Sequence, residues 1–274
     1  MIIKTSIFSL KPGAYIVTGG LGFLGSFHCK AIAAFGGRPI AIDVNEKNAN
    51  DLKREIKDEY DVDLVVIESD ITSKESLSRA ADEIQRDFII HGLVNNAARN
   101  PSVGKAGLEI NSRLEDYSLD DWNFDIGVGL TGAFLCTQIF GSIMNQKQGG
   151  TIVNISSDLG LIAPKQSLYY QQGKSESEQA KKPVSYSVIK SGLIGLTKYT
   201  STYWPLKVRC NCLCPGGVFN NQSEEFLNRV NSEIPLGRLA NCDEYAGALI
   251  YLLSSSSSYM NGSIISIDGG RTAW

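Results

Sequence analysis

Seven short apolar runs, separated by longer stretches of helical spacing, constrain this chain more than any other feature. The runs fall at residues 14–18, 38–43, 64–68, 89–94, 151–155, 208–213 and 263–267. Each has strand length and little polar alternation, which is how a strand reads when both faces are buried. Between them, residues 23–35, 45–60, 120–144, 186–204 and 243–253 read as helices. Thr72, with Glu75 three positions on, reads as the capping box of a further helix. Strand–helix alternation of this kind closes as a parallel sheet with helices on both faces. The expected fold class is therefore α/β, a Rossmann-type, doubly wound, mostly parallel seven-stranded sheet. It is expected to form a single domain over residues 1–274. Residues 254–258, all serine, are too few for a linker and read as a helix-to-strand loop.

Composition narrows the function. A chain of 274 residues with 43% apolar side chains can build a full core. A formal net charge of −3 carries no basic excess, so neither nucleic acid nor an anionic membrane surface is an expected partner. No apolar run approaches the length of a membrane span, and residues 1–10 lack the long apolar core of a secretion signal. The expected address is cytoplasmic, and the expected partner a small molecule. Strand alternation places Cys210, Cys212 and Cys214 on one face. They lack the spacing and further ligands of a metal site, so they read as reduced core thiols and no metal is expected. His28 and His91 stand apart from any acid or nucleophile and read as structural.

After the first strand, Thr18-Gly19-Gly20-Leu21-Gly22-Phe23-Leu24-Gly25 leads into a helix. Glycine at 19, 22 and 25 permits a tight turn and lets backbone N–H groups, those of Phe23 and Leu24 among them, approach a pyrophosphate. The helix N-terminus adds partial positive charge for that anion. Asp43 ends the second strand, 18 residues beyond Gly25. An acid there accepts hydrogen bonds from the ribose hydroxyls of NAD and repels the 2′-phosphate of NADP, so NAD is the expected cofactor and NADP the weaker alternative. Asp70, with Ile71 beside it, can face the adenine; its plain alternative is a capping or loop residue.

Tyr186-Ser-Val-Ile-Lys190 supplies the chemistry. Positions i and i+4 share a helix face, so a phenol and an ammonium stand side by side. A neighbouring cation favours phenolate and brings tyrosine towards use as a general acid or base. A second copy exists, Tyr170-Gln-Gln-Gly-Lys174. Its flanks are polar and contain glycine, a poor helix-interior residue, whereas Lys190 leads into Ser-Gly-Leu-Ile-Gly-Leu-Thr with apolar residues at helical spacing. Tyr186–Lys190 is therefore the expected pair.

Taken together, these residues resemble the short-chain dehydrogenase/reductase family in its short single-domain form, over nearly the whole chain. Residues 18–25 match its cofactor turn, and Asn95-Asn96-Ala97-Ala98 its Asn-Asn-Ala-Gly signature, with Ala98 in the glycine position. The resemblance implies that this signature, Asn96 and Ala97 included, supports the central sheet and walls the cofactor site. Residues 150–157 match the strand leading to the catalytic serine, placed at Ser157. Cys214-Pro215-Gly216-Gly217-Val218 matches the segment bordering the nicotinamide, here Pro215, Gly216 and Val218. The implied activity is NAD(P)-dependent hydride transfer at a carbinol or carbonyl carbon. In it Tyr186 exchanges the proton, Lys190 lowers the tyrosine pKa and binds the nicotinamide ribose, and Ser157 holds the substrate oxygen. Family habit also implies a homodimer or homotetramer built on helices 120–144 and 186–204.

Three departures stand out. Gly129, in Val128-Gly-Leu-Thr-Gly132, replaces the asparagine that in the family holds a water behind the lysine. A backbone carbonyl at a local kink could take its place. Glycine spacing at 19, 22 and 25 is closer to that of the larger sugar-nucleotide epimerases and dehydratases of the same superfamily. Residues 161–183 read as containing an insertion that covers the active site as a flap, or as a solvated loop. Its Lys165, Gln166, Tyr169, Tyr170, Gln171, Lys174, Lys181 and Lys182 suit a hydroxylated or phosphorylated ligand. The glycine spacing reads as a tolerated variant, whereas the 128–132 variant, the insertion and the Trp274 ending resemble members found with bacterial surface-sugar biosynthesis, which implies a sugar-derived substrate. The alternatives are an NAD-retaining epimerase or dehydratase, and a catalytically impaired NAD-binding regulator.

Overall fold

In the computed structural model, which describes residues 5–99 and 112–274, the apolar runs become one sheet. Its strands are β1 (Ala14–Thr18), β2 (Arg38–Asp43), β3 (Val65–Glu68), β4 (Ile90–Asn95), β5 (Gly150–Ile155), β6 (Val208–Pro215) and β7 (Ile264–Ile267). They lie in the order β3-β2-β1-β4-β5-β6-β7, and every pairing is parallel, so the expected "mostly parallel" sheet is wholly so.

Strand alternation sorts the core into two layers. Tyr15 and Val17 face a layer with α1 (Phe23–Ala34), α2 (Ala49–Tyr60) and α7 (Ala246–Leu253), through Cys29, Ile56 and Leu249. Ala14 and Ile16 face the other, with α3 (Lys74–Asp87) and α4 (Leu119–Gln146), through Leu77, Phe140 and Met144. α5 (Val184–Tyr203) joins that second side through Ile189 and Leu193, which meet Ala133 of α4. Each fully buried strand side chain, such as Ile16, Ile40 or Leu93, contributes about 1.5–3 kcal/mol.

Several elements differ from expectation, each for a local reason. α3 is capped by Ser73, whose side chain accepts from the Ser76 N–H; the Thr72 hydroxyl instead donates to Asp70 at 2.7 Å. α2 starts at Ala49 because Asn48 adopts φ 69°, outside the helical region. α6 (Glu224–Asn231), unanticipated from sequence, is capped by the Ser223 side chain at the Phe226 N–H. α4 runs 28 residues with a window of mean hydropathy 1.5, long and apolar enough to cross a membrane, contrary to expectation. Its apolar face is a core face, since Cys136, Phe140 and Met144 are fully buried against the sheet. Two π-type turns, Gly127–Thr131 and Thr137–Gly141, interrupt it. Between β5 and α5 the chain makes only short 3₁₀ turns, among them Gln166–Tyr169 and Glu176–Glu178.

Candidate active site

Strand order reverses at β1, whose neighbours are β2 and β4. A parallel α/β sheet opens a crevice beyond the carboxyl ends of its strands at such a point. Here a cavity of about 1010 Å³ occupies it. Its lining includes every residue the sequence singled out for cofactor or chemistry. Tyr170 and Lys174 are not among them, and Tyr170 is exposed.

One half of the cavity is built by the glycine turn. Gly19 takes φ +62°, and a Cβ on Gly25 would fall 2.0 Å from the Gly19 carbonyl oxygen, so the turn cannot close with larger residues. Gly22 caps α1 without a side chain, leaving the first-turn N–H groups, those of Phe23 and Leu24 included, facing the cavity. The opposite wall is clamped on: the Thr18 hydroxyl accepts from the N–H groups of Asn96 and Ala97 at 3.0 and 3.1 Å. Asn96 Nδ2 returns a bond to the Thr18 carbonyl at 2.9 Å. Behind this wall, Asn95 donates to Asn154 at 2.8 Å, tying β4 to β5. Asp43 accepts from Leu21 N–H through Oδ2 at 3.1 Å and from Val44 N–H through Oδ1 at 2.9 Å. Its carboxylate is thereby fixed at the mouth of the turn with lone pairs to spare. Asp70 lines the cavity and closes a turn by accepting from the Thr72 N–H at 2.8 Å. Ile71 is buried under the same wall. Bare helix N–H groups, a glycine cradle and a fixed carboxylate are what a dinucleotide's pyrophosphate and ribose require.

The other half collects titratable groups. Ser157, past the end of β5, donates its hydroxyl to Asp158 Oδ1 at 2.7 Å. Tyr186 and Lys190 come from the first turns of α5. Lys190 Nζ donates to the Ile155 carbonyl at 2.8 Å and lies 5.6 Å from the Tyr186 ring centroid. Pro215, Gly216 and Val218 close the cavity from the end of β6. The start of α5 is anchored by Ser185, whose hydroxyl donates to buried Asp125 at 2.5 Å and bonds Tyr117 at 2.8 Å. Burial pushes the Tyr186 phenol up to about 12; its hydrogen bond with Ser157 opposes this and the Asp158 charge adds to it. Lys190 is drawn down to about 8 by burial. Burial sets the direction of the Tyr186 shift, and the ammonium of Lys190 is turned to the Ile155 carbonyl.

The chain matches the short chain dehydrogenase family over residues 14–229. It belongs to that family. It is 30% identical over 263 residues to post-translational flagellin modification protein A of Campylobacter coli, covering 95% of this chain and 98% of that one. Among solved structures it is similar to a gluconate 5-dehydrogenase of Burkholderia cenocepacia in complex with NADP and tartrate. The TM-score is 0.82 at 26% identity, covering 98% of each chain. It is similar also to a short chain dehydrogenase of Leptospira borgpetersenii with bound NAD+, at TM-score 0.80 and 28% identity, covering 99% of this chain and 97% of that one. This dehydrogenase is therefore an oxidoreductase of the NAD(P)-using kind.

Of three further residues in the dehydrogenase's cavity, Asp158 and Arg271 carry no sequence signal, and Lys182 reads only as one polar group of residues 161–183. Asp158 follows Ser157 directly but belongs to no pattern, Lys182 sits in the polar stretch before α5, and Arg271 lies in the last turn. They converge beside Tyr186. Arg271 Nη1 is 2.7 Å from Asp158 Oδ2, across 113 residues of chain, and Lys182 Nζ is 3.9 Å from the Tyr186 ring centroid. Gly129 lies in the first π-type turn of α4, where an added Cβ would fall 2.8 Å from Ile189 Cγ2.

Proposed function

We propose that this dehydrogenase interconverts a hydroxyl and a carbonyl group on a small, polyhydroxylated, sugar-derived substrate, using NAD. The observation that carries the reading is the convergence of Ser157, Tyr186 and Lys190 in the cavity that begins at the Gly19–Gly25 turn. When bound, the nicotinamide supplies or accepts the hydride. The chain's own residues move the proton and hold the oxygen. Tyr186, a protonated phenol at neutral pH, donates to a carbonyl oxygen in reduction and takes the proton back in oxidation. Ser157 holds that oxygen beside the phenol. Lys190 binds the cofactor ribose and keeps positive charge near the phenol as it ionises. The fixed carboxylate of Asp43 supports NAD over NADP.

Asn220, Gln222 and Tyr169 give the substrate end polar groups suited to hydroxyls, and the likeness to a gluconate 5-dehydrogenase supports a sugar-derived ligand. Residues 161–183 act as a cover inserted within a single domain of 1–274; Leu168 and Tyr169 of that stretch line the cavity and pack on Phe226. The enzyme works as a homodimer or homotetramer, a reading supported by exposed Phe134 of α4 and Val188, Tyr199 and Tyr203 of α5. Its address is the cytoplasm, consistent with free thiols at Cys29, Cys136, Cys210, Cys212, Cys214 and Cys242.

Steady-state NADH formation across a panel of polyols and sugar derivatives tests the reading. Tyr186→Phe is expected to lower kcat about 10²- to 10⁴-fold, the range for loss of a general acid–base group. Tyr170→Phe is expected to stay near wild type. The reverse pattern would reject the assignment.

A further inference from the structure

The substrate end of the cavity holds two cations that the proton and hydride transfers do not use. Lys182 is 9% exposed, yet its Nζ stands closer to the Tyr186 ring, at 3.9 Å, than Lys190 Nζ at 5.6 Å. The Arg271 side chain is 10% exposed and reaches Asp158 Oδ2 with Nη1 at 2.7 Å. The other Asp158 oxygen accepts from the Ser157 hydroxyl at 2.7 Å. One buried carboxylate thus joins Arg271 to the serine beside the reacting phenol, and its charge also acts on Lys182. Both cations line the cavity, as do the apolar groups Leu168, Phe226 and Leu239.

Such an arrangement has a preferred ligand chemistry. Three cationic side chains, Lys182, Lys190 and Arg271, line this end of the cavity with the carboxylate of Asp158, an excess of positive charge that favours an anion. A neutral polyol offers them ordinary hydrogen bonds; a carboxylate or phosphate offers charge-assisted ones, roughly twice as strong. Guanidinium carries five donors in a fixed fork, and Asp158 takes only Nη1 among the described residues. Burial, with Lys190 adding, draws Lys182 down to about 8, the direction in which a bound anion would be most felt. The cations also sit at the reacting centre, because Lys182 lies on the ring of the tyrosine that exchanges the proton.

The geometry points to a substrate that carries an anionic group, carboxylate or phosphate, near the reacting carbinol, held between Lys182 and Arg271. This inference rests on the function proposed above and specifies the charge of its substrate.

Matched probes test it in two measurements, calorimetric titration into NAD-saturated protein and NAD-coupled turnover. D-gluconate is set against D-gluconamide, and glycerol 3-phosphate against glycerol, with longer polyol, aldonate and polyol-phosphate sets beside them. In at least one set the anion is expected to bind and turn over about 100-fold better than its neutral partner, as for a buried charge pair. The carboxylate and phosphate arms tell the two anions apart. Lys182→Met and Arg271→Met should each cut the preference about tenfold or more, mainly in Kd and KM, while Lys182→Arg retains most of it and guards against a folding defect. Equal binding of anion and neutral partner in every set, absence of binding included, overturns the inference. So does a preference unchanged in both Met variants. NAD is titrated separately into each protein. Failure of wild type to bind NAD rejects the dehydrogenase reading itself, whereas normal NAD binding without anion preference rejects only the anionic substrate.

Discussion

At Gly129 a missing side chain reflects packing. An added Cβ would meet Ile189 Cγ2 at 2.8 Å and Cδ1 at 3.0 Å. Isoleucine in a helix keeps one strongly preferred χ1 rotamer, so Ile189 cannot swing aside cheaply. Gly129→Ala should destabilise by about 1–3 kcal/mol through overpacking, offset by up to about 1 kcal/mol of helix propensity. Gly129→Asn restores the side chain expected from the family resemblance, yet it should cost more and leave kcat no higher, because the amide is driven against Ile189. Urea unfolding and steady-state kinetics check both; a raised kcat in Gly129→Asn with an unchanged unfolding midpoint would contradict the packing account. Tyr186 teaches a related lesson. The i,i+4 spacing correctly places Lys190 nearby, but spacing is silent on where Nζ points, and it points at the Ile155 carbonyl.

Among the elements, α6 is written in the sequence by a cap and an apolar pair. Ser223 before Glu224 and Glu225, then Phe226 and Val230 four apart, is a capped amphipathic turn pattern. Its eight residues give a helical period little more than two turns in which to show. Its apolar face has one purpose visible here: Phe226 and Val230 pack with Leu168, Ile234 and Leu239 in a small core separate from the sheet's two layers. That satellite core takes in Leu168 and Tyr169, which also line the cavity. Phe226→Ala should therefore weaken the local lobe by about 3 kcal/mol while the sheet stays intact. Hydrogen exchange should rise in residues 161–183 and 224–231 and remain slow in β1, β4 and β5, with KM rising more than kcat falls. Uniform loss of protection across the sheet would mean that the lobe is part of the global core. The cap of α3 shows the limit of pattern reading at the other extreme. Thr72 fits the capping box, but Asp70 captures its hydroxyl and Ser73 becomes the cap.

Over the whole molecule, the cofactor half links β1, β2 and β4 through the Thr18–Asn96 clasp and the Asp43–Leu21 bond. A ligand seated there binds only the folded chain. NAD at about 100 times its Kd should stabilise the protein by about 2.7 kcal/mol. NADP at equal concentration should stabilise less, and Asp43→Ser should narrow or invert the difference. Thermal unfolding with each dinucleotide measures it, and a larger shift with NADP in wild type would reverse the cofactor assignment. The sequence by itself determined the strands, most helices, the glycine turn, the place of Asp43 at the end of β2, and that Tyr186 and Lys190, unlike Tyr170 and Lys174, share a helix. These are carried by short-range periodicity, turn chemistry and flanking polarity, which act within a few residues. Only the tertiary structure decided that Asp158 meets Arg271 across 113 residues, that Lys182 covers the Tyr186 ring, and that Ile189 fills the space beside Gly129. Those contacts depend on how distant segments pack, and burial, which raises the Tyr186 pKa and lowers those of Lys182 and Lys190, exists only once they have.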